Sequence, residues 1–203
     1  MLSFPKQLGV AIALATVIVL GHAVTRAQVS SSAGQVNTGP ERFTAFAINM
    51  NSPSPTAGAT SVDIVINRYS TDAERDRLRA GFKENEQQGL LKALQDLPAV
   101  GYLTTPGSLR YDIHFARQRP AAEAGRRLFL LTDRRIAFWE AASGARTLDY
   151  PFTLIQIQLD RNDRGVGKLS VATRITGSED TVVEIEDFAA QPVQLNDVHK
   201  VKG

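Results

Sequence analysis

Cysteine is absent from this 203-residue chain, and that absence removes several kinds of chemistry at once. No disulfide can staple the fold, no thiolate can serve as nucleophile or metal ligand, and no lipid-modified cysteine can tether the chain. Histidine is scarce: His22, His114 and His199 are the three present, and no two stand at a His-x-x-x-His spacing or beside a clustered carboxylate set, so no metal is expected. There is no Gly-x-Ser-x-Gly elbow to present a serine nucleophile. Gly165-Val166-Gly167 lacks a third glycine and follows a hairpin instead of opening a helix, so it does not read as a dinucleotide loop, and no cofactor is expected.

Long apolar runs are missing as well. Gly9 to Leu20 is uninterrupted small and aliphatic sequence, but it stops at Gly21-His22, well short of the roughly 20 residues a spanning helix needs. With Lys6 before it, and with Thr25 and Ala27 at minus three and minus one of a cut before Gln28, the stretch 1–27 reads as a cleaved secretory signal peptide. The expected location is periplasmic or secreted, with no membrane span once the leader is removed. An exported domain without disulfides has to be held by buried apolar surface, and a chain of ~150 residues can bury ~70% of its unfolded surface.

Net charge is also lacking. The chain carries 23 Lys plus Arg against 21 Asp plus Glu, and loss of Lys6 and Arg26 with the leader leaves 21 of each. A neutral mature chain has no net field to draw it to nucleic acid or anionic lipid, and no nucleic-acid partner is expected. The charges are nevertheless segregated: Arg110, Arg117, Arg119, Arg126, Arg127, Arg134 and Arg135 make the middle basic, and Glu179, Asp180, Glu184, Glu186 and Asp187 make a late stretch acidic. The preferred explanation is that these are neighbouring strands pairing opposite charges across their exposed faces.

Segment 28–40 is polar and reads as a flexible lead-in. From 41 to 203 the pattern is that of a single β-rich domain. Phe43, Ala45 and Ala47 alternate with their neighbours, and Val62, Ile64 and Ile66 do the same, with a Pro- and Gly-containing loop between. A helical insertion is expected at about 71–97. Thr71-Asp72-Ala73-Glu74 fits a capping box, Leu78 and Phe82 follow at helical spacing with Gly81 weakening the last turn, and Leu90, Leu91, Leu94 and Leu97 mark a second short helix ended by Pro98. Later strands are expected at Leu109 to Phe115, Leu128 to Leu131, Ile136 to Ala141, Ile155 to Leu159, Leu169 to Thr173, around Val183 and Ile185, and around Val193 and Leu195. Turns fall at Asn162 to Gly165, whose glycine is able to take positive φ, and at Gly177-Ser178. Such closely spaced turns imply antiparallel pairing, and the expected fold is mainly β: an antiparallel barrel or two-sheet sandwich of about ten strands with a short two-helix insertion, the barrel preferred because closure removes exposed edges.

The phrases Arg68 to Arg75, Gly101-Tyr102 through Thr105-Pro106, Ser108 to Asp112, Ala137 to Ala141 and Asp149 to Leu154 resemble those of uncharacterised exported bacterial proteins, over about Phe43 to the C-terminus. The resemblance implies a bacterial, extracytoplasmic setting and brings no activity, ligand or catalytic residue with it.

Two candidate sites remain. Strict alternation puts Arg110, Asp112, His114 and Ala116 in one row, so Asp112 could orient His114 as an acid/base pair for a hydrolase or isomerase, although a solvated outer face accounts for the same row. Trp139 and Glu140 with Tyr102, Tyr111 and Arg110 offer aromatic walls and polar anchors for a small molecule, although they also suit an ordinary core and its rim. The expected function is therefore noncatalytic: an exported module that binds a small apolar ligand or an envelope protein.

Overall fold

The computed structural model describes residues 39–50, 58–108, 110–133, 152–171, 174–178, 181–186 and 192–201. The period-two pattern forms strands as expected. Strand β1 (Glu41–Ile48) pairs with β2 (Ala59–Ile66), and the inward row of Phe43, Ala45, Ala47, Val62, Ile64 and Ile66 is buried. The chain continues through helical segment α1 (Asp72–Gln95) to β3 (Gly101–Thr104), β4 (Tyr111–Ile113), β5 (Phe115–Pro120), β6 (Arg126–Thr132), β7 (Thr153–Leu159) and β8 (Arg164–Val171). After β9 (Arg174–Ser178) and β10 (Thr181–Glu186) it ends in β11 (Val193–Lys200).

Nine strands make one antiparallel sheet in the order β4-β3-β2-β1-β11-β8-β7-β6-β5, and β9 and β10 pair with each other as a separate two-stranded sheet. The edge strands β4 and β5 are consecutive in the chain, joined through His114, whose backbone N–H donates to the Leu131 carbonyl of β6 at 3.1 Å. One bent stretch of chain therefore serves both edges, and the sheet forms a nearly closed barrel instead of two stacked layers.

That bend changes the face assignment. Ile113 and Ala116 are both fully buried, so the alternation slips by one residue at His114-Phe115. Ala116 lies inside the barrel, off the row that strict alternation assigned it, and Phe115 turns outward to pack against a second apolar cluster. The slip occurs where the chain changes partners from β3 to β6.

The helical insertion starts with the expected capping box: the Thr71 hydroxyl accepts from the Glu74 N–H at 3.2 Å, and the Glu74 carboxylate accepts from the Thr71 N–H at 2.8 Å. Where two separate short helices were expected there is one helical segment, interrupted by non-helical backbone at Asn85 and Glu86. The interruption is a reversal. Arg77 and Asp96 meet at 3.6 Å, whereas a straight helix would hold them roughly 28 Å apart. Gly81 and Gly89 sit where the limbs cross, since a Cβ on Gly89 would lie 2.0 Å from the Gly81 carbonyl oxygen. Gly81 thus permits contact, a role different from the weakened last turn expected of it. Leu78, Leu90, Ala93 and Leu94 of α1 then bury against Leu131 and Phe152, covering part of the barrel's outside.

Three further corrections concern turns and charges. In the β7–β8 turn the positive φ belongs to Asp163 (58°), while Gly165 is required for close approach, its would-be Cβ lying 1.8 Å from the Gln158 carbonyl oxygen. Gly177 and Ser178, expected as a turn, belong to β9. Among the described residues the acidic strand does not pair with the basic ones: β10, with Glu184 and Glu186, pairs with β9, whereas β5 and β6 lie within the nine-stranded sheet; Arg134, Arg135, Glu179, Asp180 and Asp187 lie outside the described residues. The strand expected over Ile136 to Ala141 lies outside the described residues, as does the leader.

The barrel interior is filled. Phe43, Ile64, Leu103, Ile113, Leu128, Leu130, Ile155, Leu169 and Leu195 each have 0% accessible surface. A side chain lining a void large enough for water would retain accessible surface, so these side chains enclose no ligand chamber.

Candidate functional site

The sequence candidates separate into different places. Tyr102 of β3 stands directly opposite Asp112 of β4 on the outer face. Arg110 joins them, its guanidinium 4.3 Å from the Tyr102 ring centre and its Nε 2.7 Å from Asp112 Oδ1. The aromatic, cation and acid are thus brought together, but as an exposed ion pair stacked on a ring; Arg110 is 54% and Asp112 40% exposed. Such pairs contribute up to ~1 kcal/mol. Tyr111 points the other way, into the core beside Leu103 and Ile113. Trp139 and Glu140 lie outside the described residues.

His114 is positioned by the β4–β5 bend and covered by the end of α1. Its Nδ1 is 2.8 Å from the Leu97 carbonyl oxygen. A carbonyl only accepts, so Nδ1 carries a hydrogen and donates it. Nε2 faces Asp133 Oδ1 at 3.6 Å, and both side chains are largely buried. The carboxylate beside His114 is therefore Asp133, while Asp112 is engaged by Arg110. This arrangement ties the α1–β3 connection to the barrel wall. Among the described residues no three His, Asp or Glu side chains converge as metal ligands, and no described helix is long and apolar enough to cross a membrane.

The densest polar cluster among the described residues is one that sequence reasoning missed. Glu41 opens β1 with its side chain 2% exposed, and Arg126, 12% exposed, grips both its oxygens at 2.8 and 2.9 Å. Lys200 at the end of β11 donates to Glu41 Oε1 at 2.7 Å, and the Tyr69 hydroxyl donates to Oε2. Arg126 also donates through Nε to Asp163 of the β7–β8 turn at 2.9 Å and through Nη1 to Gln118 at 3.1 Å, with its guanidinium over the Phe43 ring. Burial pushes the Glu41 carboxyl up, but the bonds from Arg126, Lys200 and Tyr69 outweigh it and hold the group at about 2. For Tyr69, burial and the adjoining carboxylate both push the phenol well up, so the hydroxyl stays protonated as the donor. Every charge here is matched, and the lone pairs a substrate would need are occupied. The sequence signal was faint: a charged residue at the inward position of a strand start, and a matching arginine inward on another.

A surface groove of about 560 Å³ runs along the two limbs of α1 between Arg77, Glu84, Gln88, Lys92 and Asp96. Its two cations and two carboxylates offset one another. No family model matches the chain, and no curated protein or solved structure matches it.

Proposed function

We propose that the protein is an exported, noncatalytic binding module of the bacterial envelope that meets its partner with the outside of a filled barrel. The observation that carries this reading is the interior: side chains with no accessible surface occupy the space in which a barrel would hold a small molecule. Among the described residues the candidate polar groups are engaged in structure, Glu41 with Arg126 and Lys200, Asp112 with Arg110, and the Nδ1 hydrogen of His114 with the Leu97 carbonyl. The leader-like stretch 1–27 supports export, and with it a periplasmic or secreted setting.

Intact-mass spectrometry on native-host cytosolic, periplasmic and culture-medium fractions tests the reading. The expected species is the chain beginning at Gln28, with no small molecule retained under native conditions. A full-length cytosolic product, or a low-mass ligand carried through purification, refutes it.

A further inference from the structure

The outer face of β5, β6, β7 and β8 carries two open rows beside the part that α1 covers. In the first, Arg119 stands directly opposite Arg127, and Arg127 directly opposite Gln158. In the second, Phe129 faces Gln156, which faces Lys168. Arg119, Arg127, Gln158 and Lys168 are exposed, and Phe129 and Gln156 half-buried. Arg117 of the second row is turned toward α1, where it pairs with Asp72 at 2.7 Å. No carboxylate lies in either row, and Arg119, Arg127 and Lys168 make no ion pair with any described residue. Like charges placed opposite each other on paired strands are unfavourable. Of the acidic stretch, the described Glu184 and Glu186 lie on β10, in a different sheet.

We infer that this face binds an acidic polysaccharide, its carboxylates taken by the Arg119–Arg127 pair and Lys168. Charge complementarity requires an anion, and two adjacent guanidinium groups hold planar carboxylates through paired hydrogen bonds. The neighbouring groups indicate what kind of anion. The Gln156 and Gln158 amides both donate and accept, as sugar hydroxyls require, and the Phe129 ring offers an apolar surface to the C–H face of a sugar. Neighbouring strands stand about 4.8 Å apart, so a linear polymer crossing them along a row meets a fresh side chain at each step. An acidic lipid surface would use the cations and leave the amides and the ring idle, and an acidic peptide would lack the regular row of hydroxyls that both amides suit. This inference rests on the reading of the protein as an exported binding module and names that module's partner.

The mature chain is titrated at low salt with polygalacturonate, dextran, polyglutamate and phosphatidylglycerol vesicles. Polygalacturonate is expected to bind at least tenfold more tightly than the other three. The double substitution R119Q/R127Q should weaken that binding at least tenfold with an unchanged unfolding midpoint. K168Q and Q156A/Q158A, which leave the arginine pair intact, should each weaken it several-fold. Equal binding of polygalacturonate and dextran, or undiminished binding by R119Q/R127Q, overturns the assignment. Polyglutamate or vesicles binding as tightly as polygalacturonate overturns it in favour of an acidic protein or a membrane. Failure of every titration alongside recovery of exported, ligand-free chain from the native host removes the polysaccharide and leaves the broader reading standing.

Discussion

Replacing Glu41 with glutamine keeps the shape of the side chain and deletes the one charge on which the barrel-end cluster converges. Arg126 and Lys200 remain, the first 12% exposed and left with Asp163, the second about one-third exposed. Two routes give the same size of effect. A carboxyl held at about 2 in the fold against an ordinary 4.5 is a stabilisation of about 3 kcal/mol at neutral pH. Removing one member of a buried ion pair costs about 3–5 kcal/mol, and the lower end applies because Asp163 still serves Arg126. In a domain of this size about 3 kcal/mol lowers the thermal midpoint by roughly 6–12 °C. Because the folded-state value lies below the unfolded one, the contribution is complete above about pH 5 and disappears as the pH falls toward 2. Urea unfolding followed by circular dichroism should show wild type well above E41Q at pH 7, with the gap closing progressively down to pH 2.5. The partner change R126M should cost less in the E41Q background than alone, since each orphans the other. A loss under about 1 kcal/mol at pH 7, or a gap that does not change with pH, refutes the account of Glu41 as a buried, structurally committed carboxylate.

Two more outcomes follow from the packing. Gly89→Ala would stabilise an ordinary exposed helix by about 1 kcal/mol, but here its methyl meets the Gly81 carbonyl, so thermal unfolding should show a loss of about 1–3 kcal/mol; a rise in midpoint refutes the crossing of the two limbs. His114→Leu should cost about 1–3 kcal/mol by leaving the Leu97 carbonyl without its donor, while Asp133→Asn costs under about 1 kcal/mol; the reverse order in equilibrium unfolding would show that the acid, and not the carbonyl, holds the ring.

The strands were legible because apolar residues at every second position can be buried from one face only, as in Val62, Ile64, Ile66 and Ile155, Ile157, Leu159. The capping box was legible because it is a local exchange of hydrogen bonds between Thr71 and Glu74. What sequence could not carry was register between distant segments. Arg110, Asp112 and His114 read as one row, yet a change of strand partner at His114 slips the alternation and sets its ring between the Leu97 carbonyl and Asp133, just past the end of β6, neither of which local spacing connects to it. Glu41, Tyr69, Arg126 and Lys200 read as scattered charges and a tyrosine because only closure of the barrel brings them together. The partner of β10, which carries Glu184 and Glu186, was illegible for the same reason: charge alone does not say which strand is adjacent, and β10 pairs with β9.

Closure is where the absence of cysteine has its structural consequence. A barrel of this order depends on β1 finding β11 across almost the whole chain, and loop-closure entropy opposes that contact with no covalent link to offset it. Glu41 lies at the start of β1 and Lys200 at the end of β11, so their bond forms only when those strands are paired. Arg126 adds β6, and Asp163 adds the β7–β8 turn. Apolar side chains alone would accept a strand slipped by two residues, since the same face stays buried. A buried carboxylate with three donors does not tolerate the slip, because it would leave charges orphaned in a dry site. The cluster therefore selects one register for the strand pair that closes the barrel, a task that a disulfide performs in many exported folds.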